Sequence, residues 1–213
     1  MSVLTCALPA ANAAEPCCGP VSPAGSRLIG FLDATGVDHL WLSGTQVDWR
    51  TGVPTAGWID GASQHTHCSA FVASAAMRLG VYVLRPPDHR QKLLANAQMR
   101  WLGGDDAATK GWRRLPDVQT AQARANAGDL VLAAVENPDP GKPGHIAIVR
   151  PSDIETEALL ARGPFVTQAG FTNTLNISLA RGFGNHPGAW VPGGGGSVGF
   201  FGHTIDWTTV PVR

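Results

Sequence analysis

The feature that most constrains the fold is an apolar segment that begins at Cys68. Small and apolar side chains recur at helical spacing through residues 70–79, and Gly80 stands where a helix commonly ends. The segment is apolar on nearly every side, so we expect the helix to be buried. A chain that buries such a helix needs another layer of secondary structure to pack against it.

The second half of the chain predicts that layer as β-strands. Residues 129–135 and 145–150 are apolar runs of strand length, and the loop between them is rich in proline and glycine, which predicts a broad hairpin. Further strands are expected at 165–169 and 198–206, with a short helix near 153–162. The glycine run 193–196 predicts a flexible turn.

Helices are predicted mainly before these strands. We expect Ser26 to cap a short helix, Asp88 to cap another that ends at Gly103, and a weaker helix over 117–126. Residues 43–67 predict a long loop, and residues 82–84 a short strand. Helices followed by an antiparallel sheet define an α+β fold.

Length and charge limit the function classes. The 213 residues fit one domain over 26–213, preceded by a loosely ordered segment 1–25. Lysine plus arginine number 16, as do aspartate plus glutamate, so the chain lacks the positive field that nucleic-acid binding needs. No apolar stretch approaches the ~20 residues of a membrane-spanning helix.

The N-terminal segment carries a possible export signal and three of the four cysteines. Ala11-Asn12-Ala13 has the form of a signal-peptidase site, although a basic region before it is absent; if the chain is secreted or periplasmic, its mature form begins near Ala14. If it is not exported, the protein is cytoplasmic. Cys6, Cys17 and Cys18 are not spaced as a disulfide framework, and adjacent cysteines rarely bridge because the geometry is strained, so the sequence leaves the role of these three cysteines open.

Cys68 is the candidate nucleophile because it lies in the first turn of the buried helix. Free backbone N–H groups and the helix dipole favour negative charge there, which predicts a lowered thiol pKa. The same N–H groups can hold the oxyanion formed when a carbonyl is attacked. The alternative is that Cys68 is an ordinary buried apolar residue.

A cysteine nucleophile needs a base, and His145 is the candidate. It begins a predicted strand directly after Gly144, and Gln168 interrupts the apolar pattern of the next strand. Adjacent antiparallel strands would bring Gln168 beside His145, where it could orient the imidazole. Each residue taken alone also fits a solvated strand position.

Three motifs in order resemble the NlpC/P60 and CHAP-type cysteine peptidases. Cys68-Ser69-Ala70-Phe71-Val72 resembles their nucleophile motif, Gly128-Asp129-Leu130 their "GDL" strand, and Gly144-His145 their "GH" base strand. The resemblance covers roughly residues 60–170. It implies a papain-like α+β fold and hydrolysis of amide bonds, often in peptidoglycan stem peptides.

The same resemblance implies roles for single residues. Cys68 would be the nucleophile, His145 the base and Gln168 the third member, where the family more commonly has His, Asn, Asp or Glu. Asn173 is the fallback for that third role. The candidates for the oxyanion hole or for substrate binding are Gln64, Ser69 and Asn173. No cofactor is expected, and the expected partner is a peptide or a peptidoglycan fragment.

Three other hypotheses remain open at this stage. His65, His67, Cys68 and His145 could supply nitrogen and sulfur ligands to a zinc ion. The chain could be a catalytically inactive member of the fold that binds cell-wall or protein partners. It could also be an acyltransferase, which forms the same thioester but resolves it with an alcohol or amine.

Overall fold

The computed structural model describes residues 17–58 and 66–211. Within these ranges the chain forms seven helices and eight strands. The helices are α1 (Pro23–Asp33), α2 (Cys68–Arg78), α3 (Leu94–Leu102), α4 (Asp105–Thr109), α5 (Val118–Asn126), α6 (Thr156–Arg162) and α7 (Leu179–Gly182). The strands are β1 (Thr45–Val47), β2 (Pro54–Trp58), β3 (Arg113–Leu115), β4 (Leu130–Val135), β5 (His145–Val149), β6 (Phe165–Gln168), β7 (Thr174–Ser178) and β8 (Gly199–His203).

Six of the strands form one sheet in the order β3-β8-β4-β5-β6-β7, and β1 and β2 form a separate hairpin. Every pair of neighbouring strands is antiparallel. Residues 130–135 pair with 145–149 as the predicted hairpin, with His145 opposite Val135. The prediction of an α+β fold with an antiparallel sheet is confirmed.

Both faces of this sheet are covered. In β4, Leu132 packs in one apolar cluster with residues of α1, α2 and α3, whereas Val131 packs in a second cluster with residues of α5, α6 and α7. All six residues of β4 and all five of β5 are buried. A strand covered on both faces is apolar throughout rather than alternating, which explains the continuous apolar runs in the sequence.

The helix that begins at Cys68 is confirmed. Residues 68–76 are all buried, and Gly80, with φ +72°, follows the C-cap residue Leu79. The helix over 117–126 is also confirmed as α5, and its N-cap Asp117 accepts a hydrogen bond from the Thr120 N–H at 2.7 Å.

Two predicted helix starts are wrong. Ser22, not Ser26, caps α1 and accepts from the Gly25 N–H, because Pro23 takes the first helical position, which needs no N–H donor. Asp88 does not cap a helix. Instead α3 begins at Leu94, after Leu93 adopts a left-handed conformation with φ +59°.

The strand predicted at 82–84 is absent. The Tyr82 carbonyl accepts from the Trp112 indole N–H at 2.7 Å, and the Leu84 carbonyl accepts from the Gln98 side-chain amide at 2.9 Å. Side chains of neighbouring elements therefore satisfy backbone groups that a strand partner would otherwise bond.

The loop predicted over 43–67 contains the β1–β2 hairpin instead. The sequence also gave no sign of β3, β7, α4 and α7. These elements are short and their residues are largely exposed or half-buried, so they lack the apolar periodicity that identifies longer elements.

Cys17 and Cys18 form a disulfide, although adjacent cysteines rarely do so. Cys18 has φ +75°, and the Cys17 N–H donates to the Ile154 carbonyl at 2.9 Å. Cys6 and the sequence Ala11-Asn12-Ala13 lie outside the described residues. No helix among the described residues is long and apolar enough to cross a membrane.

Candidate active site

Cys68 is the first residue of α2 and only 3% exposed. The preceding His67 makes no side-chain capping bond, so it does not occupy the N–H groups of the first turn. The backbone N–H groups of Ile146, Ser69 and Cys68 itself lie close enough to the sulfur to lower the pKa of the thiol. The sulfur therefore lies at the start of β5, against the peptide that follows His145.

Burial raises the pKa of the Cys68 thiol to about 11, although the N–H groups of Ile146, Ser69 and Cys68 act to lower it. The prediction that the helix end lowers this pKa overall is wrong. The three N–H groups do favour the thiolate. The free-energy cost of removing a charged sulfur from water is larger than the stabilisation that these groups provide. The resting group at neutral pH is the thiol.

His145 is bonded to Gln168 as predicted. The distance from His145 Nε2 to Gln168 Oε1 is 2.9 Å, and Gln168 Nε2 donates to the Thr172 carbonyl at 3.2 Å. A carbonyl can only accept, so Gln168 must direct its NH₂ group to Thr172 and its oxygen to His145. The imidazole therefore carries its proton on Nε2, and Nδ1 of the neutral ring is the basic nitrogen.

Aromatic rings surround the imidazole. The Phe183 ring meets it edge-on at 4.6 Å between centroids, and the half-buried His186 ring stacks on it at 5.8 Å. Burial lowers the pKa of His145 to about 4; the bond to Gln168 opposes this shift and the charge of His186 adds to it. At neutral pH the imidazole is a neutral base.

The space for Gln168 is provided by a glycine. A Cβ atom on Gly182 would lie 2.5 Å from Gln168 Oε1, closer than any real contact. Gly182 ends α7, which packs on β6 and β7. The absence of a side chain at this position therefore allows the Gln168 carboxamide to reach His145.

Cys68 and His145 approach the same peptide from different directions. Cys68 belongs to the apolar cluster on the α2 face of the sheet, whereas Phe183, which contacts the His145 ring, belongs to the cluster on the opposite face. The pKa shift of each group arises without a contribution from the other. The resting site thus holds an uncharged thiol and an uncharged imidazole rather than an ion pair.

The remaining predicted site residues have different surroundings. Ser69 is buried, and its carbonyl accepts from Gln98 Nε2 at 3.1 Å. Asn173 donates to the carbonyls of Leu40 and Trp41 and accepts from the Gly170 N–H, so it braces two loops, while Gln168 makes the bond to His145. Gln64 lies outside the described residues.

The three described residues of the zinc hypothesis, His67, Cys68 and His145, do not form a group that could hold a metal ion. His67 is bonded at both ring nitrogens, to the Thr45 carbonyl at 2.7 Å and to Gln91 Nε2 at 3.0 Å. Over residues 17–58 and 66–211, no three His, Cys, Asp or Glu side chains are grouped so that they could hold a metal ion. His65 lies outside the described residues.

The sequence did not identify Phe183 and His186 as neighbours of the base. Both follow α7, a four-residue helix that no periodicity predicts, and His186 stands before a proline in a segment typical of a loop. Only the folding of this segment against β6 brings them to His145.

These features define a class of protein. It is an α+β chain in which a buried cysteine at the start of a helix, Cys68, packs against the strand that begins with a buried, hydrogen-bonded histidine, His145. No protein-family model matches the chain, and no curated protein matches it either.

Proposed function

We propose that the protein is a papain-like cysteine hydrolase that cleaves amide bonds, with Cys68 as nucleophile and His145 as base. One observation carries the proposal: Gln168 fixes the imidazole with Nδ1 unprotonated, and the Cys68 sulfur lies at the next peptide along β5. A nucleophile, a base and an orienting group are the parts that thiol catalysis requires.

The reaction begins with two neutral groups. As the Cys68 sulfur attacks the amide carbonyl and the C–S bond forms, the thiol proton is transferred to His145 Nδ1 through a bridging water molecule, because the two groups share no direct hydrogen bond in the resting structure. The imidazolium then gives this proton to the amine nitrogen as the C–N bond breaks. Water attacks the thioester, its proton goes to Nδ1, and the C–S bond breaks as the proton returns to sulfur.

The N–H groups at the start of α2 are suited to stabilise the oxyanion. Those of Cys68 and Ser69 already face the sulfur, and no His67 side chain competes for them. Donors held in place before the reaction cost no reorganisation when charge develops on the carbonyl oxygen.

The substrate class is proposed from the motif resemblance. The NlpC/P60 and CHAP-type enzymes often cut peptidoglycan stem peptides, and the three motifs here begin α2 and lead into β4 and β5, which pair with each other. We therefore propose stem peptides of peptidoglycan as substrate, which also requires the chain to be secreted or periplasmic.

The test is hydrolysis of purified muropeptides by the full chain, with product masses determined. We expect loss of detectable turnover in Cys68→Ala and His145→Ala, and unchanged turnover in Cys6→Ser, which removes a cysteine that has no role in the proposed reaction. Added amine acceptors would reveal an acyltransferase as transpeptidated products. Activity retained by Cys68→Ala refutes the nucleophile assignment.

A catalytically inactive binding protein is the second candidate, and the state of Cys68 favours it. A thiol that is 3% exposed and has a pKa of about 11 is far from the reactive thiolate of many cysteine enzymes. If wild type and Cys68→Ala bind muropeptides equally and neither cleaves them, this second function replaces the first.

A further inference from the structure

Asn96 carries a buried amide whose hydrogen bonds to the described part of the chain all go to backbone groups outside its own helix. It lies in α3 and is 1% exposed. Its Oδ1 accepts from the Gly144 N–H at 2.7 Å and from the Asn137 N–H at 3.2 Å, and its Nδ2 donates to the Lys142 carbonyl at 2.9 Å. All three partners belong to the loop that joins β4 to β5.

The shortest of these three bonds joins the Gly144 N–H to Asn96 Oδ1, and Gly144 directly precedes the proposed base, His145. A Cβ atom on Gly144 would lie 2.1 Å from the Val135 carbonyl oxygen and 2.5 Å from Asn96 Oδ1, so the backbone there is confined between β4 and α3. Because the peptide between Gly144 and His145 is planar, the orientation of the Gly144 backbone determines the position of the His145 Cα atom.

We propose that Asn96 is a positioning residue for His145, fixing the backbone from which the imidazole extends toward Gln168 and Phe183. The inference rests on the proposed function, because it gives the imidazole its role as base. No motif indicated Asn96, since it lies 48 residues before Gly144 in sequence.

Asn126 provides a matched control. It is also 1% exposed and also bonds backbone at a distance, donating to the Gly19 and Ser152 carbonyls and accepting from the Ser152 N–H. It lies at the end of α5 and makes no bond to the loop before β5. Removing either amide orphans buried backbone groups, but only Asn96 is bonded next to the base.

The experiment compares Asn96→Ala, Asn96→Asp and Asn126→Ala in the full chain. For Asn96→Ala we expect kcat to fall by up to about 10²-fold with KM nearly unchanged, the cost of misplacing a catalytic group by about 1 Å. Asn96→Asp keeps both accepted bonds and loses the donated one, so its kcat should be intermediate; this variant also serves if the alanine variant folds poorly. Asn126→Ala should lower the melting temperature and leave kcat within twofold.

A second readout does not depend on turnover. The ¹⁵N spectrum of the His145 imidazole, assigned with His145→Gln, reports which ring nitrogen carries the proton and at what pH the ring titrates. We expect Asn96→Ala to change both and Asn126→Ala to change neither. An Asn96→Ala protein with wild-type kcat and an unchanged His145 spectrum overturns the inference, and so does an equal loss in Asn126→Ala. If Cys68→Ala keeps full activity, the proposed function is wrong, and so is the role of Asn96 in that reaction. The ¹⁵N spectrum then shows separately whether Asn96 orients the His145 ring.

Discussion

Gln168 Oε1 lies 2.9 Å from His145 Nε2, and both side chains are almost wholly buried. A glutamine in this role fixes the tautomer of the ring but carries no charge to stabilise imidazolium. The neutral resting state of the imidazole follows from burial, which outweighs the opposite effect of the Gln168 bond on the pKa of His145.

Replacement of Gln168 should separate its orienting role from its lack of charge. In Gln168→Ala we expect kcat to fall by up to about 10²-fold because the ring is no longer held. In Gln168→Glu a carboxylate would stabilise imidazolium and raise the pKa of His145, so the acid limb of the kcat/KM profile should move to higher pH. The measurement is the pH profile of both variants. An acid limb that stays in place in Gln168→Glu contradicts the assignment.

Gly182→Ala should mimic loss of Gln168 without changing that residue. The added methyl group would lie 2.5 Å from Gln168 Oε1 and displace the carboxamide from His145, so we expect a lower kcat. Gly30→Ala is the control, because a Cβ atom at Gly30 meets nothing within 4 Å. Its kcat should be unchanged and its stability raised by up to about 1 kcal/mol. Equal kcat values for wild type and Gly182→Ala would be inconsistent with the role of Gln168.

The pKa of His145 makes a pH-dependent contribution to stability. Its value falls from 6.5 to about 4 on folding, so between these pH values the unfolded chain binds a proton that the folded chain does not. The contribution of His145 to the free energy of unfolding is therefore fully present above pH 6.5. It is lost as the pH is lowered toward 4, and it amounts to about 3 kcal/mol for a full shift of this size. Urea unfolding at pH 7 and pH 4.5 should show a larger loss in wild type than in His145→Gln. Parallel losses in the two proteins would exclude this contribution.

Alkylation of Cys68 reports its resting state. Because burial raises the thiol pKa to about 11, we expect iodoacetamide to label Cys68 slowly at pH 7 and progressively faster toward alkaline pH. Peptide mass spectrometry resolves Cys68 from Cys6, and the urea-unfolded chain provides the reference rate for an ordinary thiol. A labelling rate that is high and constant between pH 5 and 8 would instead indicate a thiolate–imidazolium pair.

The sequence predicted those parts of the site that lie on regular elements. Cys68 begins an apolar helix, His145 begins an apolar strand, and Gln168 follows from pairing of adjacent strands; each depends on local periodicity or short-range connection. The pairing of 129–135 with 145–150 was predictable for the same reason.

The remainder depends on contacts between distant residues. Phe183 contacts the His145 ring, and Asn96 bonds Gly144, the residue before it. Both contacts arise from packing, and neither residue has a distinctive neighbour in sequence. The pKa of Cys68 was predicted in the wrong direction because helix position can be read from sequence, whereas the depth of burial is a property of the whole fold.

The attachment of the β4–β5 loop to α3 has a consequence for how such chains can diverge. Asn96 bonds the loop near its two ends, at Asn137 and Gly144, whereas residues 138–141 at the tip are exposed. Substitutions or insertions at the tip would leave the register of β5 undisturbed. This hairpin is therefore a place where descendants of the chain could acquire new surface chemistry while inheriting His145 in its original position.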